Sequence, residues 1–179
     1  MGFRLLDSFD TVITRQRNVP AARAAVGAAA SADIAIGDAY GIDANGNAFH
    51  AGADAVVRGV VVGFALLPVS NIMNGNGPIS EDYLAAAVAG LVIGCEDPNA
   101  TFEVWSDAVV GFLQANIGGK FNLFDVAPDS LFRQSRQYLN VNGGAGTQFV
   151  ANDKINSPAD NVYGPSCRVQ VSLATALQP

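Results

Sequence analysis

The chain has 179 residues, 50% of them hydrophobic and 15% charged, with a net charge of −6. That length suits one domain, and burying roughly 70% of the unfolded surface requires neither disulfides nor a structural metal; the composition excludes a disordered chain. The acidic balance argues against nucleic acid as a partner, because displacing phosphate counterions takes clustered Lys and Arg.

Residues 1–32 run through "FRLLDSFDTVITRQR", "NVP" and the Ala-rich "AARAAVGAAASAD" with no sustained period of 2 or 3.6. They are expected to form an extended N-terminal arm whose removal, residues 2–20, leaves the rest folded. The alanines allow a short helix between Pro20 and Ala30, which Gly27 weakens. Arg15, Arg17 and Arg23 form the one basic grouping and are expected to be solvated. No cationic, apolar leader opens the chain, so it is expected to be made in a cytoplasm and to stay soluble.

From residue 33 to 179 the texture is that of a β-rich domain, in which short apolar runs are broken by Gly, Asn, Asp and Pro about every ten residues. Strands are predicted at 39–43, 48–50, 56–67, 90–95, 101–105, 120–123, 137–141, 148–150 and 167–173. The fold class is therefore mainly β, a β-sandwich or small β-barrel with the arm and at most one or two short helices.

"DANGNAFHAGAD" (43–54) begins like a calcium loop, but an EF-hand needs Gly at its sixth position and Glu at its twelfth, where this stretch has Ala48 and Asp54. Asn45-Gly46 instead predicts a type I′ hairpin turn, with Ile42 facing Phe49 and with Tyr40, Ile42 and Phe49 on one face. His50, the sole histidine, reads as a sheet residue. "SEDYLAAAVA" competes for a helix, with Ser80 as N-cap and acidic residues in its first turn. The apolar run 84–95 that follows is too short to span a bilayer, so no membrane is expected.

The chemical motifs are sparse. Glu81-Asp82 and Glu96-Asp97 are adjacent acidic pairs, expected to be solvated rather than catalytic. Cys95 and Cys167 are too far apart for a zinc set or a redox pair and are expected to be small buried hydrophobes. Without a nucleophile elbow, a phosphate loop or a metal-binding helix, no enzyme activity, cofactor or metal is expected. In "ATFEVWSD", Phe102 and Val104 point one way, and Glu103 and Trp105 the other. Trp105 is then either a partly buried rim residue or the anchor of a subunit contact.

Several segments in order resemble phage head-decoration (capsid cement) proteins. "YGIDANGNAFHAGADAVVRGVVVGF", preceded by Gly37-Asp38, has their hairpin, Ala-Gly step and valine-rich strand. "EDPNATFEV" (96–104), "NIGGKFN" (116–122), "PADNVYGPSCRVQVSL" (158–173) and the opening "GFRLL" are similar to further stretches of that group. The Ala-rich segment and "DSLFRQSRQYLN" (129–140) have no counterpart. The resemblance implies a virion structural protein on the outer surface of an icosahedral capsid, with the major capsid protein as partner and copies of itself as neighbours, trimers by analogy. An irregular apolar arm needs a partner surface, which makes Phe3, Leu5, Leu6, Phe9, Val12 and Ile13 the candidate capsid contacts. The alternatives are a major or minor coat component, or a carbohydrate- or ligand-binding β-module using Tyr40, Trp105 and Tyr163.

Overall fold

The structure, a computed structural model, describes residues 2–7, 11–21, 32–53, 55–65, 83–86, 88–129, 131–142, 146–156 and 161–174. It is mainly β. In chain order the strands are β1 (Arg4–Leu5), β2 (Thr14–Val19), β3 (Ile34–Ala35), β4 (Ala39–Ile42), β5 (Ala48–His50), β6 (Gly59–Ala65), β7 (Tyr83–Leu84), β8 (Gly90–Cys95), β9 (Phe102–Trp105), β10 (Lys120–Phe124), β11 (Tyr138–Asn140), β12 (Phe149–Lys154) and β13 (Arg168–Leu173). No helix among the described residues is long and apolar enough to cross a membrane.

Three antiparallel units stack. A six-stranded sheet has the order β1-β9-β13-β12-β10-β11, a five-stranded sheet the order β2-β8-β6-β4-β5, and β3 and β7 make a two-stranded ribbon. The larger sheet curls toward a barrel, because Ser106 at the end of β9 bridges Leu139 of β11. Its inward residues, including Phe102, Val104, Leu123, Phe149, Val169 and Val171, alternate with polar ones and share one core with Ala39, Val60 and Cys95 of the smaller sheet. The opposite face of the smaller sheet is covered as well. There Tyr40, Ala48, Val61 and Val92 pack with Ile34 and Leu84 of the ribbon. Burial on both faces explains why "GVVVGFA" and "GLVIGC" read as continuous apolar runs rather than alternating ones. A bulge between Val61 and Gly63 re-aims β6, so that Phe64 lies opposite Val92 and joins the second core.

The β4–β5 turn differs from the type I′ expectation by one residue. Tyr40 pairs with His50, Gly41 with Phe49 and Ile42 with Ala48. Gly46 N–H donates to Asp43 C=O at 3.0 Å, and Asp43 Oδ1 accepts from the Asn45 and Asn47 amides at 2.9 and 2.8 Å. This is a type I turn followed by Gly46 at φ 82°, the three-residue hairpin loop, stabilised by an Asp that outcompetes the two-residue alternative. These hydrogen bonds hold the Asp43 carboxyl below its ordinary pKa. The slip moves side chains across the sheet. Tyr40 and Ile42 stay together on the second core, while Phe49 turns to the first, its ring lying over Gly41 where a Cβ would clash. Open space surrounds the Cβ position of Gly46, so Gly46→Ala carries a pure backbone penalty. A loss of about 1–2 kcal/mol is expected in urea unfolding.

The described strands of the first 20 residues are part of the sandwich rather than a tail beyond it. β1 pairs with β9, and β2 pairs with β8 along six residues. Removing residues 2–20 would therefore strip a strand from each sheet, which corrects the expectation of a separable arm. The helix for which "SEDYLAAAVA" competes is absent at its described residues: Tyr83 and Leu84 are a strand paired with Ala35 and Ile34, because Leu84 closes the second core. Tertiary burial outweighs the helix propensity of the alanines that follow. The Ala-rich residues 22–31 lie outside the described residues.

Candidate functional site

The outer face of β9 carries the polar half of its alternation. Register sets Glu103 between Arg4 of β1 and Gln170 of β13, and Trp105 opposite Arg168. Glu103 pairs with Arg4, and Arg168 Nη1 donates to its Oε1 at 3.0 Å. Trp105 is half-buried and stands between two open clefts. One, of about 340 Å³, is lined by Arg4, Glu103 and Arg168 together with Gln134, Ser135 and Ile36. The other, of about 330 Å³, is lined by Arg136, Tyr138, Ser166 and Val126. Tyr138 is fixed by stacking on Phe124, with centroids 4.8 Å apart and planes 9° from parallel. Burial and the nearby Asp107 charge both raise its hydroxyl pKa.

Two buried ionic clusters lie elsewhere in the fold. His50 of β5 is 2% exposed; Nε2 meets Asp125 Oδ1 at 2.6 Å, and Nδ1 faces Asp38 Oδ2 at 3.2 Å, an ion-pair contact whose alignment falls short of a hydrogen bond. Burial on its own would lower the imidazole pKa. The contacts to Asp125 and Asp38 and their two charges reverse this and lift it to about 10, so the ring is a cation locked between carboxylates. Gln137 completes the cluster, donating to Ala51 C=O at 2.9 Å and Asp125 at 3.1 Å and accepting from Ala39 N–H at 2.7 Å. Both sheets contribute, β5 from one and the segments flanking β10 and β11 from the other.

The second cluster centres on Glu96, just past β8 and 1% exposed. Arg17 of β2 donates to both its oxygens at 2.7 and 2.8 Å, the Tyr40 hydroxyl donates at 2.7 Å, and Arg15 and Arg58 each stand 3.5 Å away. Burial pushes the carboxyl pKa up. The hydrogen bonds from Arg17 and Tyr40 and the charges of Arg17 and Arg58 outweigh that and hold it below its ordinary value. The Tyr40 hydroxyl is pushed upward, first by burial and then by Glu96.

A third feature is apolar and exposed. The 107–119 loop is tied to the 161–167 loop by paired hydrogen bonds between Phe112 and Gly164, at 2.8 and 2.9 Å, and Tyr163 packs on the buried Phe112 ring at 6.3 Å. The frame is fixed, yet Val109 is 85% and Val162 70% exposed, with Val110, Leu113 and Ile117 beside them in the sequence also at the surface.

The residues singled out in the sequence fall in different places. Phe3 is 4% exposed and stacked on Phe149 at 4.4 Å, so its side chain is committed to the core rather than to a partner surface. Leu5 and Val12 pack partly against that core, Leu6 and Ile13 are exposed, and Phe9 lies outside the described residues. Trp105 is half-buried, which agrees with either a rim residue or the anchor of a subunit contact. Tyr40, proposed as an exposed ligand-binding aromatic, is fully buried against Glu96, and Glu96-Asp97 is a buried pair rather than a solvated one. Arg17, expected in solvent, is bound to Glu96. Cys95 and Cys167 are buried free thiols whose pKa values burial raises. Among the described residues no group of three His, Cys, Asp or Glu side chains is placed to hold a metal ion. Direct contact of His50 with both carboxylates closes its cluster to a ligand.

Both networks escaped sequence reading because their central pairs are far apart in the chain: Tyr40 and Arg17 lie 56 and 79 residues from Glu96, and His50 lies 75 from Asp125 and 87 from Gln137. The one available signal was the coincidence of a single histidine and an acidic pair with otherwise apolar strands. No protein family, no curated protein and no solved structure matches the chain.

Proposed function

We propose that this chain is a virion structural protein that binds the outer surface of an icosahedral phage capsid as a decoration protein, with the major capsid protein and further copies of itself as partners. The observation that carries this reading is the apolar end made by the 107–119 and 161–167 loops. Hydrogen bonds hold it rigid, yet it presents Val109, Val110, Leu113, Ile117 and Val162 to solvent. Grouped exposed apolar side chains of this kind mark an interaction surface. Covering a Val or Leu side chain contributes about 1.5–3 kcal/mol, and repetition over a shell multiplies modest contacts. On this reading the loop end is the capsid contact; Leu6, bonded to Thr101 ahead of β9, and Ile13, bonded to Glu96, are exposed but stand apart from it.

The test is to mix the purified protein with expanded heads that lack it. Co-sedimentation and a higher temperature of head disruption are expected. The double variant Val109→Asp, Leu113→Asp should keep the wild-type unfolding midpoint within about 0.5 kcal/mol, since both side chains are at the surface, and should lose head binding. Binding that survives the two aspartates would remove the loop end from the contact; wild-type protein that ignores the heads would remove decoration altogether.

A further inference from the structure

We propose that the two clefts flanking Trp105 form a binding site for an acidic saccharide chain, independent of the head contact. The chain carries ten basic residues against sixteen acidic ones, yet Arg4, Arg136 and Arg168 line these clefts beside one lining carboxylate, Glu103. An otherwise acidic protein thus gathers positive charge around its one tryptophan. The half-buried indole divides two concavities of similar size, about 340 and 330 Å³, so a chain crossing it rests one sugar ring on the indole and its neighbours on either side. Sugars present apolar C–H faces to aromatic rings and hydroxyls to planar polar groups, and here the ring is ringed by guanidinium, carboxylate, amide and hydroxyl side chains. Carboxylates on the sugar are what the guanidinium groups add to that recognition.

The platform is set before a ligand arrives. Arg4 and Arg168 are oriented by Glu103, and Tyr138 by Phe124. Ser166 is held at φ 54°, a left-handed conformation uncommon for serine and typical of residues fixed for a purpose. Nucleic acid would also stack on an aromatic ring, but it requires a cationic track along its phosphates, and here two of the three guanidinium groups share the Glu103 carboxylate while Arg136 lines the other cleft.

Trp105 is the chain's single tryptophan, so its fluorescence reports on this place alone. The full-length protein is titrated with oligogalacturonate, oligosialate, a neutral galacto-oligosaccharide and oligothymidylate. A saturable emission change with at least one acidic sugar, with the neutral one weaker by about tenfold or more, is expected, as is a similar loss in Arg136→Ala. Arg136 is exposed, so that variant keeps its fold and its binding to heads, which separates the outcome from that of the decoration reading. No saturable change with either acidic sugar, equal affinity for the neutral one, or tighter binding of oligothymidylate would overturn the proposal.

Discussion

Replacing His50 by alanine is expected to lower the unfolding free energy by about 3–5 kcal/mol, the cost of deleting one member of a buried ionic cluster. Asp38 and Asp125 lose their shared cation while both side chains stay buried, and the Gln137 amide beside Asp125 loses the ring it contacts. The pH dependence follows from the sign of the shift. The folded-state pKa, about 10, lies above the ordinary value of 6.5, so the contribution is fully present below 6.5 and fades as pH rises toward 10. Urea midpoints measured across that range should fall for the wild type on the alkaline side. His50→Gln, which cannot carry the charge, should start lower and lack this component of the slope. A deficit below about 1 kcal/mol for His50→Ala would mean that the carboxylates reach water, as an exposed pair does.

Most of the strand positions were legible because alternation and punctuation coincide. In β9 and β13, Phe102, Val104, Val169, Val171 and Leu173 are inward and each neighbour is polar or half-exposed, which is what period 2 predicts. β2 was not legible for the opposite reason. "TRQRNV" is an edge strand whose one fully buried side chain is Val19, and the burial it gains depends on pairing with β8, over 70 residues away. The β3–β7 ribbon is two residues on each side, below any periodicity, and exists because the second core needs a lid. At the β4–β5 turn the Asn-Gly pair was the stronger local signal, but Asp43 binding two amides shifted the register by one. The candidate sites were less readable still: charge partners define them, and Glu96 with Arg17, or His50 with Asp125, are brought together only by the sheets. Trp105 was visible as an aromatic on a polar face. Its arginines, drawn from three separate segments of the chain, were not.

Glu96→Ala should be as damaging as the histidine change, at about 3–5 kcal/mol, with its pH dependence on the opposite side. Three guanidinium groups lose their shared counter-charge, and the Tyr40 hydroxyl, fully buried, loses its acceptor. Glu96→Gln separates the two effects, because the amide oxygen still accepts from Tyr40 while the charge is gone; it should recover part of the loss. The folded-state carboxyl pKa lies below its ordinary 4.5, so its stabilisation is present above 4.5 and disappears as pH falls through the depressed value. Acid unfolding of the wild type should therefore contain a component missing from Glu96→Gln, while the His50 cation is retained throughout that range. The network also explains a glycine. A Cβ on Gly94 would run into the Tyr40 hydroxyl and ring, so Gly94→Ala must displace the tyrosine from Glu96. If the carboxylate is the centre that holds β2, β4 and β8 together, adding Gly94→Ala to Glu96→Ala should cost clearly less than the two changes summed, because the tyrosine is already released. Simple additivity in urea unfolding would show that Tyr40 is held by packing alone.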